Sequence, residues 1–86
     1  MYRIDPQRVV WKEAEGTVTV LLLESGQFFE LNRVGSAIWK LLDDGKSPAE
    51  ITAALHASFN ASCAQLETDM ERFFADMLLK KLLVAA

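Results

Sequence analysis

The stretch Ser25–Gly45, SGQFFELNRVGSAIWKLLDDG, decides how this chain folds. It holds a turn, a short apolar strand from Gln27 to Leu31, and then a change to helical spacing at Asn32. Asn32 suits a helix N-cap, because its side-chain oxygen accepts an orphan backbone N–H of the first turn. Val34, Ala37, Ile38, Leu41 and Leu42 then follow the stripe of an amphipathic helix. Gly45 supplies the left-handed position that commonly ends one. A strand running straight into a helix fixes the corner where sheet and helices meet.

Working back from that corner, Thr17–Glu24 (TVTVLLLE) is the clearest strand, β-branched first and leucine-rich after. Ser25-Gly26 fits a two-residue hairpin loop to Gln27–Leu31. Glu15-Gly16 is a turn, and Arg8–Glu13, with Val9, Val10 and Trp11, makes another strand. Asp5-Pro6 marks a turn within a loose N-terminal arm, residues 1–7. Strands joined by tight turns pair as neighbours, so Gln27–Leu31 is the edge of a three-stranded meander.

Forward of the corner, Ser47, Pro48 and Glu50 form a cap, a first helical position and a capping box. Ile51, Ala54, Leu55, Ser58 and Phe59 line this second helix. Asn60–Ala64 reads as a loop. The third helix is expected from Gln65 to Lys81, with a wide stripe of Leu66, Met70, Phe73, Phe74, Met77 and Leu78. Its acids fall early and its lysines late, as the helix dipole favours. Leu82–Ala86 is apolar and is expected to fold back on the core. The fold class is therefore α+β: a three-stranded antiparallel sheet followed by three helices, in a winged-helix-like arrangement.

With 86 residues there is room for one domain, 1–86, and one small core. The net charge of −3 lacks the basic footprint of a nucleic-acid binder. A winged-helix nucleic-acid reading has a specific difficulty: the third helix would bring Glu67, Asp69, Glu71 and Asp76 towards phosphates, against Arg72, Lys80 and Lys81. The single cysteine, Cys63, suits a reducing cytoplasm. Arg3, Asp5 and Pro6 stand where a signal peptide needs apolar residues, and the apolar runs, Val20–Leu23 and Leu82–Ala86, are far short of a membrane span. We expect a cytoplasmic domain with no membrane contact.

Catalytic groups are sparse. His56 is the sole histidine and reads as solvent-facing or marginal to the core. Cys63 reads as a buried or incidental thiol without a helix N-terminus to activate it. Asp43-Asp44 has no third ligand at metal spacing. No phosphate loop is present. The expectation is a non-enzyme without cofactor.

What remains is the edge strand. Gln27–Leu31 has no proline or lysine, and Glu30 alone blunts it. Beside it the third helix is expected to set Leu66, Met70, Phe74 and Met77. An extended peptide added to that edge would drop alternate side chains against them. On periodicity alone the same four residues read more readily as core, and the groove is the minority reading.

The series LLLESGQFFELNRVGSAIWKLLDDGKSPAEI resembles the pyrroloquinoline quinone biosynthesis protein D (PqqD) family. The matching features are Leu31-Asn32 at the end of a strand, Ile38-Trp39 in the helix, Gly45 at its end, and Glu50-Ile51 in a capped second helix. The resemblance spans about Val18 to Leu83. It departs where the family usually has a glycine before its final Leu-Leu and this chain has Lys81.

The resemblance implies a peptide chaperone, or recognition element, for ribosomally made and modified peptides. Such a protein binds a precursor's leader along its third strand, against the third helix, and presents it to a radical S-adenosylmethionine enzyme. Related domains serve other peptide pathways, lasso peptides included. On this reading Gln27, Phe28, Phe29, Glu30 and Leu31 supply main-chain groups, with Phe29 and Leu31 facing inward. Leu66, Met70, Phe74 and Met77 are the apolar anchors, and Arg72 pairs with a leader acid. Trp39 is core. The chain acts as a monomer or a homodimer, and a dimerisation module using the same edge is the alternative.

Overall fold

The computed structural model describes residues 2–85. In chain order they form β1 (Tyr2–Arg3), β2 (Val9–Ala14), β3 (Thr17–Leu22), β4 (Gln27–Glu30), α1 (Arg33–Asp43), α2 (Pro48–Ser58), α3 (Cys63–Leu79) and β5 (Val84–Ala85). The main sheet is the meander β2-β3-β4, antiparallel throughout, with β4 at its edge. This is the α+β architecture read from the sequence.

Strand alternation sorts the side chains. Val18, Val20 and Leu22 of β3 are buried, while Thr17, Thr19 and Leu21 between them are half-buried. Trp11, Val20 and Phe29 lie in register across the inner face. Trp39 of α1 is fully buried there, meeting Trp11 edge to face at 6.2 Å between ring centroids. Trp39 is therefore core, as expected. Ile51, Leu55, Leu66, Leu82 and Leu83 complete the same cluster.

Local rules place the caps. Asn32 Oδ1 accepts the Gly35 N–H at 2.7 Å, and Ser47 and Glu50 make the reciprocal capping box. Glu50's carboxylate lies below its ordinary range. The Ser47 backbone N–H donated to it is the largest cause, the Ser47 hydroxyl bond the next, and Lys46 adds to both. Glu15 and Gly16 both have positive φ, 54° and 82°, in the two-residue turn from β2 to β3.

The structure corrects four expectations. The N-terminal arm is not loose: β1 pairs with β5, and Tyr2 stacks on Phe74 with ring centroids 4.6 Å apart. Met1 and Ala86 lie outside the described residues. The β3–β4 loop has four residues, Leu23–Gly26, not two, because Leu22 is opposite Gln27. α3 starts earlier than Gln65, because Ser62 caps it through the Gln65 N–H. Cys63 is consequently exposed at the first position of that helix rather than buried. Lys81 has a φ of 64°, and Leu82 N–H returns to Met77 O. That left-handed step turns Leu82 and Leu83 into the core and sends β5 to β1.

Candidate functional site: an open sheet edge and the groove beside it

One hydroxyl sets the corner. Ser36 is fully buried; its Oγ accepts the Val18 N–H at 2.9 Å and donates to Leu31 O at 3.2 Å. The Ser36 hydroxyl thus replaces the last rung of the β3–β4 ladder, opposite the Leu31 N–H to Val18 O bond of 2.9 Å. Since Leu31 N–H points to β3, alternation turns the main-chain groups of Phe29 and Gln27 the same way. Those of Phe28 and Glu30 face the open edge. Among the described residues no strand pairs with that side of β4.

Side chains follow the same alternation. Leu31 is buried and Phe29 half-buried, both inward as expected. Phe28 points outward and is 68% exposed, large for an apolar ring on a strand.

Between β4 and α3 runs a groove of about 410 Å³, bounded on the helix side by Phe73, Asp76, Met77 and Lys80. It continues past Asn32 and Gly35 into a second hollow of about 430 Å³, reaching Val34, Ile38, Asp69 and Arg72. Asn32, Gly35, Phe73 and Asp76 line both hollows. A Cβ on Gly35 would lie 3.1 Å from the Phe73 ring, so the absence of a side chain there lets the ring rest on α1. Lys80 Nζ is 2.9 Å from Asp76 Oδ2 and 5.4 Å from the Phe29 ring centroid, bridging strand and helix across one end.

This revises the helix wall. Leu66, Met70 and Phe74 do not line the groove; they are at most 5% exposed and pack into the core. Met77, although buried, reaches its floor, and Arg72 reaches the adjoining hollow. The helix side of the groove also carries Phe73, Asp76 and Lys80, with Gly35 of α1 beside them, none of which the sequence reading singled out for the groove. By spacing Phe73 falls within the apolar stripe of α3. The signal for its separate role is that Asp69, Phe73, Asp76 and Lys80 recur at intervals of four, three and four, one helix face of their own.

A larger hollow of about 800 Å³ lies between the β2–β3 turn and α1–α2. Its cations are engaged: Lys40 meets Glu13 at 2.6 Å, and Arg33 lies over the Phe59 ring. Among the described residues no three His, Cys, Asp or Glu gather as a metal site, and no helix is long and apolar enough to cross a membrane.

The class defined by these features is a winged-helix-like domain whose sheet ends in an open strand alongside a helix. The sequence matches the family described as Coenzyme PQQ synthesis protein D (PqqD) over residues 10–83, and the chain belongs to that family. No curated protein matches it. Among solved structures it is similar to TbiB1 in complex with the TbiA(beta) leader peptide. The identity is 34% and the TM-score 0.91, covering 98% of this chain and 96% of that one. It shares its fold with lasso peptide synthetase B1 complexed with the leader peptide, at 20% identity and a TM-score of 0.87, covering 98% of both chains.

Proposed function

We propose that this protein binds the leader of a ribosomally made precursor peptide by strand addition at β4 and presents it to a modifying enzyme. The observation that carries the reading is the pair of unpaired main-chain positions, Phe28 and Glu30, beside an apolar groove. Main-chain pairing gives affinity with little sequence demand, and the groove adds selection of alternate side chains. Family membership supports the reading, as does the leader peptide held by the 34% identical TbiB1.

The protein performs no chemistry of its own in this scheme. Phe29, Leu31, Met77 and Phe73 form the apolar contact, while Arg72 at the far hollow meets a leader carboxylate. Leu66, Met70 and Phe74 act through the core that holds α3 in place. A radical S-adenosylmethionine enzyme is the receiving partner where the pathway is that of the quinone.

The test is an affinity titration with a panel of synthetic leader peptides, the TbiA(beta) leader held by TbiB1 among them. Saturable binding, absent for a scrambled leader of identical composition, supports the reading. Equal binding of both peptides, or of neither, rejects it.

A further inference from the structure

The two flanks of α3's buried face carry different hollows. Groove residues Asp69, Phe73, Asp76 and Lys80 lie on one flank, and Glu67, Glu71, Ala75 and Leu78 on the other. On this second flank a trough of about 580 Å³ runs between α3 and the first turn of α2. The edges of Met70 and Phe74 form its floor, with Tyr2 stacked on Phe74 at one side and Thr52 at another. Glu67 and Glu71 are the charged residues that line it, and neither is in an ion pair among the described residues. Leu78 is exposed at the trough's end, and Leu79 beyond it is 82% exposed.

We infer that this trough docks an apolar protein segment flanked by lysine or arginine, carried by the enzyme that works on the bound peptide. Assigning the segment to that enzyme rests on the leader-binding reading above. The floor selects apolar side chains, and a rim of one charge sign selects cations beside them. Nucleic acid is repelled by the same two carboxylates. A second copy of this chain is a poor occupant: each copy carries a net charge of −3, and Lys80 and Lys81 are already beside Asp76 and Glu24. Because α3 separates trough from groove, the enzyme segment and the leader bind together. The helix that holds the guest on one side holds the enzyme on the other.

The probe is a synthetic amphipathic peptide of leucine and lysine, compared with its leucine–glutamate counterpart, against the isotope-labelled full chain. The lysine peptide is expected to shift the amides of Ala49, Thr52, Glu71 and Ala75 and to leave Phe28 and Glu30 unmoved. The double variant Glu67→Lys/Glu71→Lys is expected to bind it about tenfold more weakly. Glu15→Lys/Asp43→Lys, which changes net charge equally at remote sites, is expected to bind it as the wild type does.

Equal binding of both peptides, equal loss in both double variants, or shifts at β4 instead of the trough would overturn the inference. Adding a leader peptide from the panel above is expected to move Phe28 and Glu30 while the trough shifts persist; their loss overturns simultaneous binding. A leader that fails to bind rejects the leader reading and leaves the trough result standing. A modifying enzyme that acts on the bound leader is expected to displace the lysine peptide, and failure to do so overturns the assignment to that enzyme.

Discussion

Gly35 of α1 and Phe73 of α3 meet with no side chain between them: a Cβ at Gly35 would fall 3.1 Å from the Phe73 ring and 3.1 Å from Asn32 Oδ1. The groove beside β4 keeps its shape through this contact. Gly35→Ala gains helix propensity of up to about 1 kcal/mol. The ring and the cap must each give way by a few tenths of an ångström, which offsets that gain. The expected result is a stability change within about 1 kcal/mol by urea denaturation. Leader affinity is expected to fall by about three- to tenfold, since the Phe73 ring that lines both hollows is displaced.

Phe73 and Met70 separate binding from folding. Phe73 is half-buried at the groove, so Phe73→Ala is expected to leave a folded protein, destabilised by about 1–3 kcal/mol. Leader binding is expected to weaken about tenfold or more. Met70 is 4% exposed in the core, and Met70→Glu places an unpaired charge there, at a cost of about 3–5 kcal/mol. Circular dichroism is expected to show Met70→Glu largely unfolded. A folded Met70→Glu protein with selectively lost binding would return Met70 to the groove.

Lys81 holds a left-handed conformation, φ 64°, that glycine adopts without steric cost. Its ion pair with Glu24, 3.6 Å long and well exposed on both sides, contributes little. Lys81→Gly is expected to raise stability by about 0.5–1 kcal/mol, read as a higher urea midpoint with unchanged slope.

The capping box gives a pH dependence. In the folded state Glu50 titrates below its ordinary value of 4.5, so the folded protein binds fewer protons there than the unfolded chain. Its stabilising contribution is present above 4.5 and is lost as pH falls through the lower, folded-state value. Glu50→Gln keeps a reciprocal cap but does not titrate. The stability gap between wild type and this variant is therefore expected to narrow as pH falls from neutral into the acid range. A gap that widens would contradict the assignment.

What the sequence showed and what it hid follow from range. Asn32, Ser47, Glu50 and Gly45 act within one turn of chain, and their local rules read correctly. The β4 edge was legible because tight turns force a meander. The β1–β5 pairing was not, since two-residue strands at opposite ends of the chain leave no periodic trace. Periodicity identified α3's apolar residues without saying which neighbour each meets, so Leu66, Met70 and Phe74 were placed at the groove although they face the core. Gly35 shows its purpose only once Phe73 is seen against it.

Amide hydrogen exchange of β4, with and without the leader at saturation, tests the central claim most directly. Strand addition predicts new protection at Phe28 and Glu30, whose N–H groups face the open edge, and little change at Phe29 and Leu31, which already bond to β3. Unchanged exchange at Phe28 and Glu30 in a leader-saturated protein would contradict it.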